Sequence, residues 1–270
     1  MNTIVVPTDF SPAAENATAY AALLAKKMKA SVLLLHVYSL PLPMTDYPIL
    51  LTTADDVKNA TDKSLTAALE KARSSFPDIQ FETESRLGDV VTEIESVCKE
   101  KNPFAFVVGT KEESGFDRFL FGDTTVSLAK ACSFPLIAVT EGTTPNVPSN
   151  IVLATDMQNL EEIPTAKISA IVSALQATLH IVHVEVKTEE TISSDALLNA
   201  LGDINASYHC ITEKDVEEGL KHYVEANNID LVLILPHRHN LYERLFLREH
   251  TSSILHSMSV PVMSLRNDHE

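Results

Sequence analysis

Two segments far apart in this chain are nearly the same, Ile4-Val5-Val6-Pro7-Thr8-Asp9 and Ile151-Val152-Leu153-Ala154-Thr155-Asp156, at an offset of 147 positions. His36-Val37 and His183-Val184 keep that offset, and Pro135-Leu136-Ile137-Ala138-Val139 precedes Pro261-Val262-Met263-Ser264-Leu265 by 126. Matching blocks in one fixed order mean a single fold written twice, with the second copy shorter in its middle. Every local assignment therefore has to serve two like units.

In the first copy the apolar run Ile4–Val6 ends in a Pro-Thr-Asp turn, and Ser11-Pro12 supplies an N-cap with proline at the first helical position. A helix to about Lys29 follows. Ser31–Val37 is almost uninterruptedly apolar, the pattern of a strand buried on both faces, and is expected at the centre of a parallel sheet. Residues 39–52 hold three prolines and read as a loop, with Thr53 capping a helix from Ala54 to about Ser74. Gln80–Ser85 alternates like an edge strand, Val91, Ile94 and Cys98 recur at helical spacing, and Phe104–Val108 is the next strand. The second copy repeats this order, with strands at Ile151–Thr155, Leu179–Glu185, Tyr208–Thr212, Leu231–Leu235 and Val262–Leu265. Its helices fall near Glu162–Leu175, Ser194–Leu201, Val216–Asn227 and Thr251–Ser257. The alternation predicts an α/β fold of two tandem, doubly wound, five-stranded parallel sheets with helices on both faces. Glu141–Asn150 is rich in turn formers, so the domains are expected at 1–141 and 151–270 with 142–150 as a linker.

The first copy carries its chemistry between Phe104 and Val139. The apolar run stops at Gly109, a loop carries Gly115 and Gly122, an amphipathic segment follows, and Pro135 opens another apolar run. Glycines between a strand and a helix let the backbone take positive φ, so that successive N–H groups face an anion at the helix N-terminus. The residue types thus point to an anion site, with Thr124 and Thr125 adding hydroxyls after Gly122. Glu112, Glu113 and Asp123 stand against only Lys111 and Arg118, which disfavours a triphosphate unless a magnesium ion joins Asp123 to phosphate. Asp9, at the carboxyl edge of the sheet, either accepts from an exocyclic amine or ribose hydroxyl or closes a turn before Ser11.

Gly109 and Gly122, followed by Asp123-Thr124-Thr125, resemble the G-x2-G-x9-G-S/T loop of the universal stress protein family. Val5-Val6-Pro7-Thr8-Asp9-Phe10-Ser11 resembles that family's first strand and turn, and Leu34-Leu35-His36-Val37 its second strand. The resemblance implies adenosine contacts by Pro7, Thr8, Asp9 and backbone near Val37. It implies phosphate contacts by Gly109, Thr110, Lys111, Gly115, Gly122, Asp123, Thr124 and Thr125, with ATP or AMP as ligand and magnesium accompanying ATP. Two positions depart from the pattern: Glu112 replaces its second glycine, and Asp123 the Ser or Thr after its last. The resemblance also implies that the last strands, Leu136–Val139 and Val262–Leu265, meet within one chain as a pseudo-dimer, and it leaves a homodimer open.

The second copy keeps Thr155-Asp156 but has Pro236-His237-Arg238-His239 in the first glycine region and Arg248-Glu249-His250-Thr251 in place of Gly122 to Thr125. Nucleotide is therefore expected in the first copy alone. His237, His239 and His250 form too weak a set for a metal site to be assigned. His36 and His183, at equivalent places, read as structural imidazoles. Cys98, Cys132 and Cys210 suit neither a disulfide framework nor a zinc site and are expected as buried, reduced thiols. A net charge of −16 without a basic stripe argues against a nucleic-acid partner. No apolar run suits a membrane span, and no leader precedes the first strand, so the cytoplasm is the expected location. Nucleophile-elbow, P-loop and dinucleotide fingerprints are missing, so no catalytic residue is assigned. The functional expectation is a stress-response regulator that binds an adenine nucleotide and acts on an unidentified protein partner. The alternatives are an interaction scaffold whose glycine loop is structural, and a weak ATPase.

Overall fold

The computed structural model describes residues 2–40, 53–110, 134–155, 157, 160–185, 194–235, 258 and 260–266. The first half runs β1 (Thr3–Pro7), α1 (Pro12–Met28), β2 (Ser31–Tyr38), α2 (Ala54–Ser75), β3 (Phe81–Leu87), α3 (Val90–Lys101), β4 (Ala105–Thr110) and β5 (Leu136–Thr140). The second runs β6 (Asn150–Ala154), α4 (Thr165–Leu175), β7 (Thr178–Glu185), α5 (Asp195–Leu201), β8 (Ala206–Thr212), α6 (Val216–Ala226), β9 (Leu231–Ile234) and β10 (Val262–Ser264). The loop expected at 39–52, but for its first two residues, and the helices expected after Gly122 and at Thr251–Ser257 lie outside the described residues.

Short polar side chains start the helices. Ser11 is extended and accepts from Ala14 N at 3.3 Å, Asp89 accepts from Thr92 N at 3.0 Å, and Thr53 and Asp56 form a reciprocal capping box. Left-handed residues end several of them, and here the repeat reappears in the backbone. The non-glycine residues with positive φ among those described are Phe10, Lys29, Asn102, Met157, Gln176 and Asn228. They form three pairs under the two sequence offsets: Phe10 with Met157, Lys29 with Gln176, and Asn102 with Asn228.

The strands form one ten-stranded sheet in the order β3-β2-β1-β4-β5-β10-β9-β6-β7-β8. Within each half all pairing is parallel, and the halves join where β10 lies antiparallel to β5, with Val262 opposite Ala138, Met263 opposite Ile137 and Ser264 opposite Leu136. The two expected five-stranded sheets are therefore continuous. β2 lies one strand in from the edge, between β1 and β3, rather than at the centre. Its apolar run still follows from burial, because α1, α2 and α3 all pack on it. One core layer holds Ile4, Val6, Ile151 and Leu153, the other Val5, Phe106, Val152 and Val232, and each layer draws on both halves.

The chain between β5 and β6 is pinned at both ends. Asn16 donates through Nδ2 to the carbonyls of Thr140 and Thr143, both at 2.8 Å, and Asp230 accepts from the backbone of Ser149 and Asn150 at 2.8 and 2.9 Å. Across the same seam Lys27 Nζ donates to Gln176 Oε1 at 2.7 Å. Cys98 is buried as expected, but Cys210 is exposed, because β8 is a terminal strand; Cys132 lies outside the described residues. Among the described residues no helix is long and apolar enough to cross a membrane.

The second half also holds a ring cluster with no counterpart among the described residues of the first. His180 on β7 meets the Tyr223 hydroxyl through Nδ1 at 2.9 Å and stacks on His209 of β8 at 5.6 Å, while His209 Nε2 meets Ser207 Oγ at 2.8 Å. Burial, and then the neighbouring His209, hold the His180 imidazole below its ordinary value of 6.5.

Two outcomes follow. A charge at Ile137 or Met263, both fully buried, leaves an unpaired ion between the halves at a cost of several kcal/mol. Ile137→Asp and Met263→Asp should therefore open the Thr143–Ser149 segment to limited proteolysis, which the parent resists; cleavage no faster than in the parent would mean that the seam does not hold the halves together. His180 binds its proton less readily folded than unfolded, so its contribution is complete above pH 6.5 and is lost as the pH falls from there through the lower folded value. Melting temperatures of the parent should drop more between neutral and mildly acidic pH than those of His180→Leu with Tyr223→Phe, and parallel curves would remove His180 from the acid response.

Candidate functional site

In the order β3-β2-β1-β4-β5, the chain leaves β1 toward β2 on one side and returns as β4 on the other. The carboxyl ends of β1 and β4 thus flank a topological switch point, where open α/β sheets form their ligand crevice. Pro7, Thr8 and Asp9 leave β1 there. Gly109 and Thr110 end β4, beside Val139 and Thr140 of β5.

The turn after β1 is built by side chains. Thr8 N donates to Leu35 O at 2.8 Å, Phe10 N to Thr8 Oγ1 at 3.0 Å, and Ser11 N to Asp9 Oδ1 at 3.0 Å. Phe10 is thereby held at φ +67°, a costly conformation for a bulky residue. From β2, His36 Nδ1 meets Thr8 O at 2.7 Å. A carbonyl can only accept, so Nδ1 donates. The Phe10 ring stacks on His36 at 4.6 Å. Asp9 is exposed, and its bond to Ser11 realises the turn-closing role. Val37 is half-buried near the end of β2.

Gly109 has a different reason from the one its loop suggests. It is not among the glycines with positive φ. A Cβ there would lie 2.1 Å from Ala13 O and 2.2 Å from Ala13 C, inside the first turn of α1. Glycine is needed because β4 touches helix backbone. That contact brings the N-terminus of a 17-residue helix, with its positive dipole end, to the crevice. A groove of about 670 Å³ opens from Thr8 and Phe10 between α1 and α2, with Leu34, Ala68 and Ala72 in its wall and the Lys71–Glu15 ion pair, 2.6 Å, across its rim.

The second half repeats the turn. Thr155 N donates to Val182 O, Met157 N to Thr155 Oγ1, and His183 Nδ1 meets Thr155 O, each at 3.1 Å, with Met157 at φ +59°. It does not repeat the close approach. The residue equivalent to Gly109 is Leu235, whose side chain is buried in the core. The helix also starts later: a short 3-10 turn at Leu160–Glu162 and then Pro164 precede α4.

Of the sequence-derived site residues, Pro7, Thr8, Asp9, Val37, Gly109 and Thr110 lie together at this strand edge. Lys111, Gly115, Gly122, Asp123, Thr124 and Thr125 lie outside the described residues, as do Glu112, Asp156, His237, His239 and His250. Among the described residues no three His, Cys, Asp or Glu side chains converge as metal ligands. Sequence reading missed Phe10, and it missed that the Thr-Asp and His-Val blocks bond to each other. The equal offset of the two blocks was the available signal.

Comparison with known proteins places this geometry. The model of the Universal stress protein family matches residues 1–140. A universal stress protein from Archaeoglobus fulgidus has a solved structure 18% identical in sequence, with a TM-score of 0.72, covering 100% of this chain and 98% of that one. A functionally unknown protein from Pseudomonas aeruginosa, 13% identical, has a TM-score of 0.57 with 100% and 94% covered. At such identities the likeness is one of fold, and it extends over both halves. No curated protein sequence matches significantly.

Gly109→Ala should be far more damaging than alanine at an unconstrained glycine. It forces the first turn of α1 away, at about 3 kcal/mol by the cost of overpacking. At Gly88 an added Cβ meets only the movable Glu93 side chain, at 2.8 Å, so Gly88→Ala should lose about 0.5 kcal/mol or less. Urea unfolding midpoints measure both, and equal losses would mean that the Gly109–Ala13 approach is not tight.

Proposed function

The chain belongs to the universal stress protein family, and from that premise we propose that its first half binds an adenine nucleotide and that occupancy regulates a protein partner rather than driving catalysis. The observation that carries this reading is the contact at Gly109, which brings the α1 N-terminus to the switch point where the strained Thr8-Asp9-Phe10 turn emerges. In this reading the halves are tandem domains, 1–141 and 151–270, and only the first has the required approach of helix to strand. Adenosine meets Pro7, Thr8, Asp9 and the Val37 backbone. Phosphate meets Gly109, Thr110, Lys111, Gly115, Gly122, Asp123, Thr124 and Thr125. Glu112 and Asp123 repel the polyphosphate end, so AMP is favoured relative to ATP unless magnesium screens Asp123.

One observation favours a second reading. Gly109 is required by packing alone, which an interaction scaffold without nucleotide needs equally. Calorimetric titration of the full chain separates the two. For ATP the parent should respond weakly, Glu112→Gly with Asp123→Ser about tenfold more tightly, or about 1.4 kcal/mol, and Gly122→Val not at all. AMP affinity should change less between the first two, and ATP should remain intact throughout. Silence from the parent and the double variant alike would leave the scaffold, and equal responses from all three would move the phosphate site away from the Gly109–Thr125 segment.

A further inference from the structure

Joining β5 to β10 uses up one edge of each half and leaves the ten-stranded sheet with two terminal strands, β3 and β8, at equivalent places in the repeat. Terminal strands expose a ladder of backbone donors and acceptors, which proteins that stay single guard with charge. β3 is guarded. It carries Glu82, Glu84 and Arg86, with Arg86 paired to Glu84 and to Glu100 and with Lys101 near Glu84. β8 reads Ala-Ser-Tyr-His-Cys-Ile-Thr and has no formally charged side chain over its seven residues. Its residue types favour strand pairing. Among the described residues no strand lies against its outer side.

The hydrogen bonds fix which groups face outward. Leu179 N donates to Asn205 O, and Glu213 N donates to Glu185 O, so the odd-numbered residues of β8 bond inward to β7. The N–H and C=O groups of Ala206, Tyr208, Cys210 and Thr212 therefore point away from the sheet. These four are self-complementary. An antiparallel copy centred on His209 sets Tyr208 opposite the other copy's Cys210 and Ala206 opposite its Thr212, so that every outward group falls in a bonded pair. The strand is braced from behind by the His180, His209 and Tyr223 rings. The chain already joins two sheet edges in this antiparallel way at β5 and β10, over three residue pairs.

We propose that two copies of this chain associate by antiparallel pairing of β8 with β8, extending the sheet across a two-fold axis at His209. A contact of one strand from each copy buries less than the roughly 1,000 Å² of a stable interface, so the association is weak and depends on concentration. Each copy carries a charge of −16, so added salt strengthens it.

Sedimentation velocity and amide exchange on the full chain, in reducing buffer from micromolar to sub-millimolar concentration, test this. The parent should shift toward dimer as concentration rises. The amides of Tyr208, Cys210 and Thr212 should gain protection in step, while those of Ser207, His209 and Ile211 are protected throughout. Cys210→Pro removes an outward N–H and no inward bond, so it should stay monomeric with a circular dichroism spectrum like the parent's. Cys210→Ser keeps the backbone donor and should dimerise as the parent does. A parent monomeric at every concentration overturns the proposal, and so does a dimer that survives Cys210→Pro or vanishes in Cys210→Ser. Protection gained at β3 instead of β8 would overturn it as well.

Discussion

Three antiparallel residue pairs between β5 and β10 turn two five-stranded units into one sheet, and both core layers depend on that junction. Neither strand is an edge of the joined sheet. β5 and β10 are buried along nearly their whole length, with Ile137 and Met263 at zero exposure. A strand buried on both faces cannot also leave its outer backbone groups unpaired without a cost of about a hydrogen bond each. Each copy of the fold supplies the cover for the other, which is a physical reason for writing the fold twice in one chain.

The same economy runs through the turns. Thr8-Asp9 and His36-Val37 look like independent repeated blocks in the sequence, yet they are two sides of one bonded unit. The Thr8 hydroxyl takes the Phe10 N–H, and the His36 ring takes the Thr8 carbonyl. Thr155, Met157 and His183 do the same. Left-handed backbone at a Phe or a buried Met costs about 1–3 kcal/mol. The bonds that Thr8 and Thr155 make just before the strained residue offset that cost in both halves.

Element order and strand type were legible because they rest on apolar periodicity and on repetition, which the residues display directly, whereas the meeting of Leu136–Val139 with Val262–Leu265 was implied only by the family resemblance. What stayed hidden depended on neighbours distant in sequence. Gly109 reads as a loop glycine chosen for positive φ, but it is chosen for its missing Cβ against Ala13. Phe10 and Met157 carry no sign of left-handed backbone, since only Asn102 and Asn228 in that set are residues that favour it. Cys210 reads as a buried thiol until the strand order puts β8 at the edge. Each of these is a fact about contact, and periodicity carries no information on it.

The comparison of the halves also decides what the strained turn can signify. It persists in the second half, where Leu235 fills the place of Gly109 and the helix starts late, so it does not depend on the glycine contact. The turn is thus part of how β6 and β7 close their carboxyl ends, whatever lies beyond them. What distinguishes the first half is the packing of α1 against β4, because only a glycine at 109 lets the positive end of a long helix come to the switch point. In the second half a bulkier residue, Leu235, stands there, the turn remains, and the helix begins only at Thr165. The arrival of a helix N-terminus at this sheet edge therefore follows the missing Cβ more closely than it follows the Thr-Asp motif.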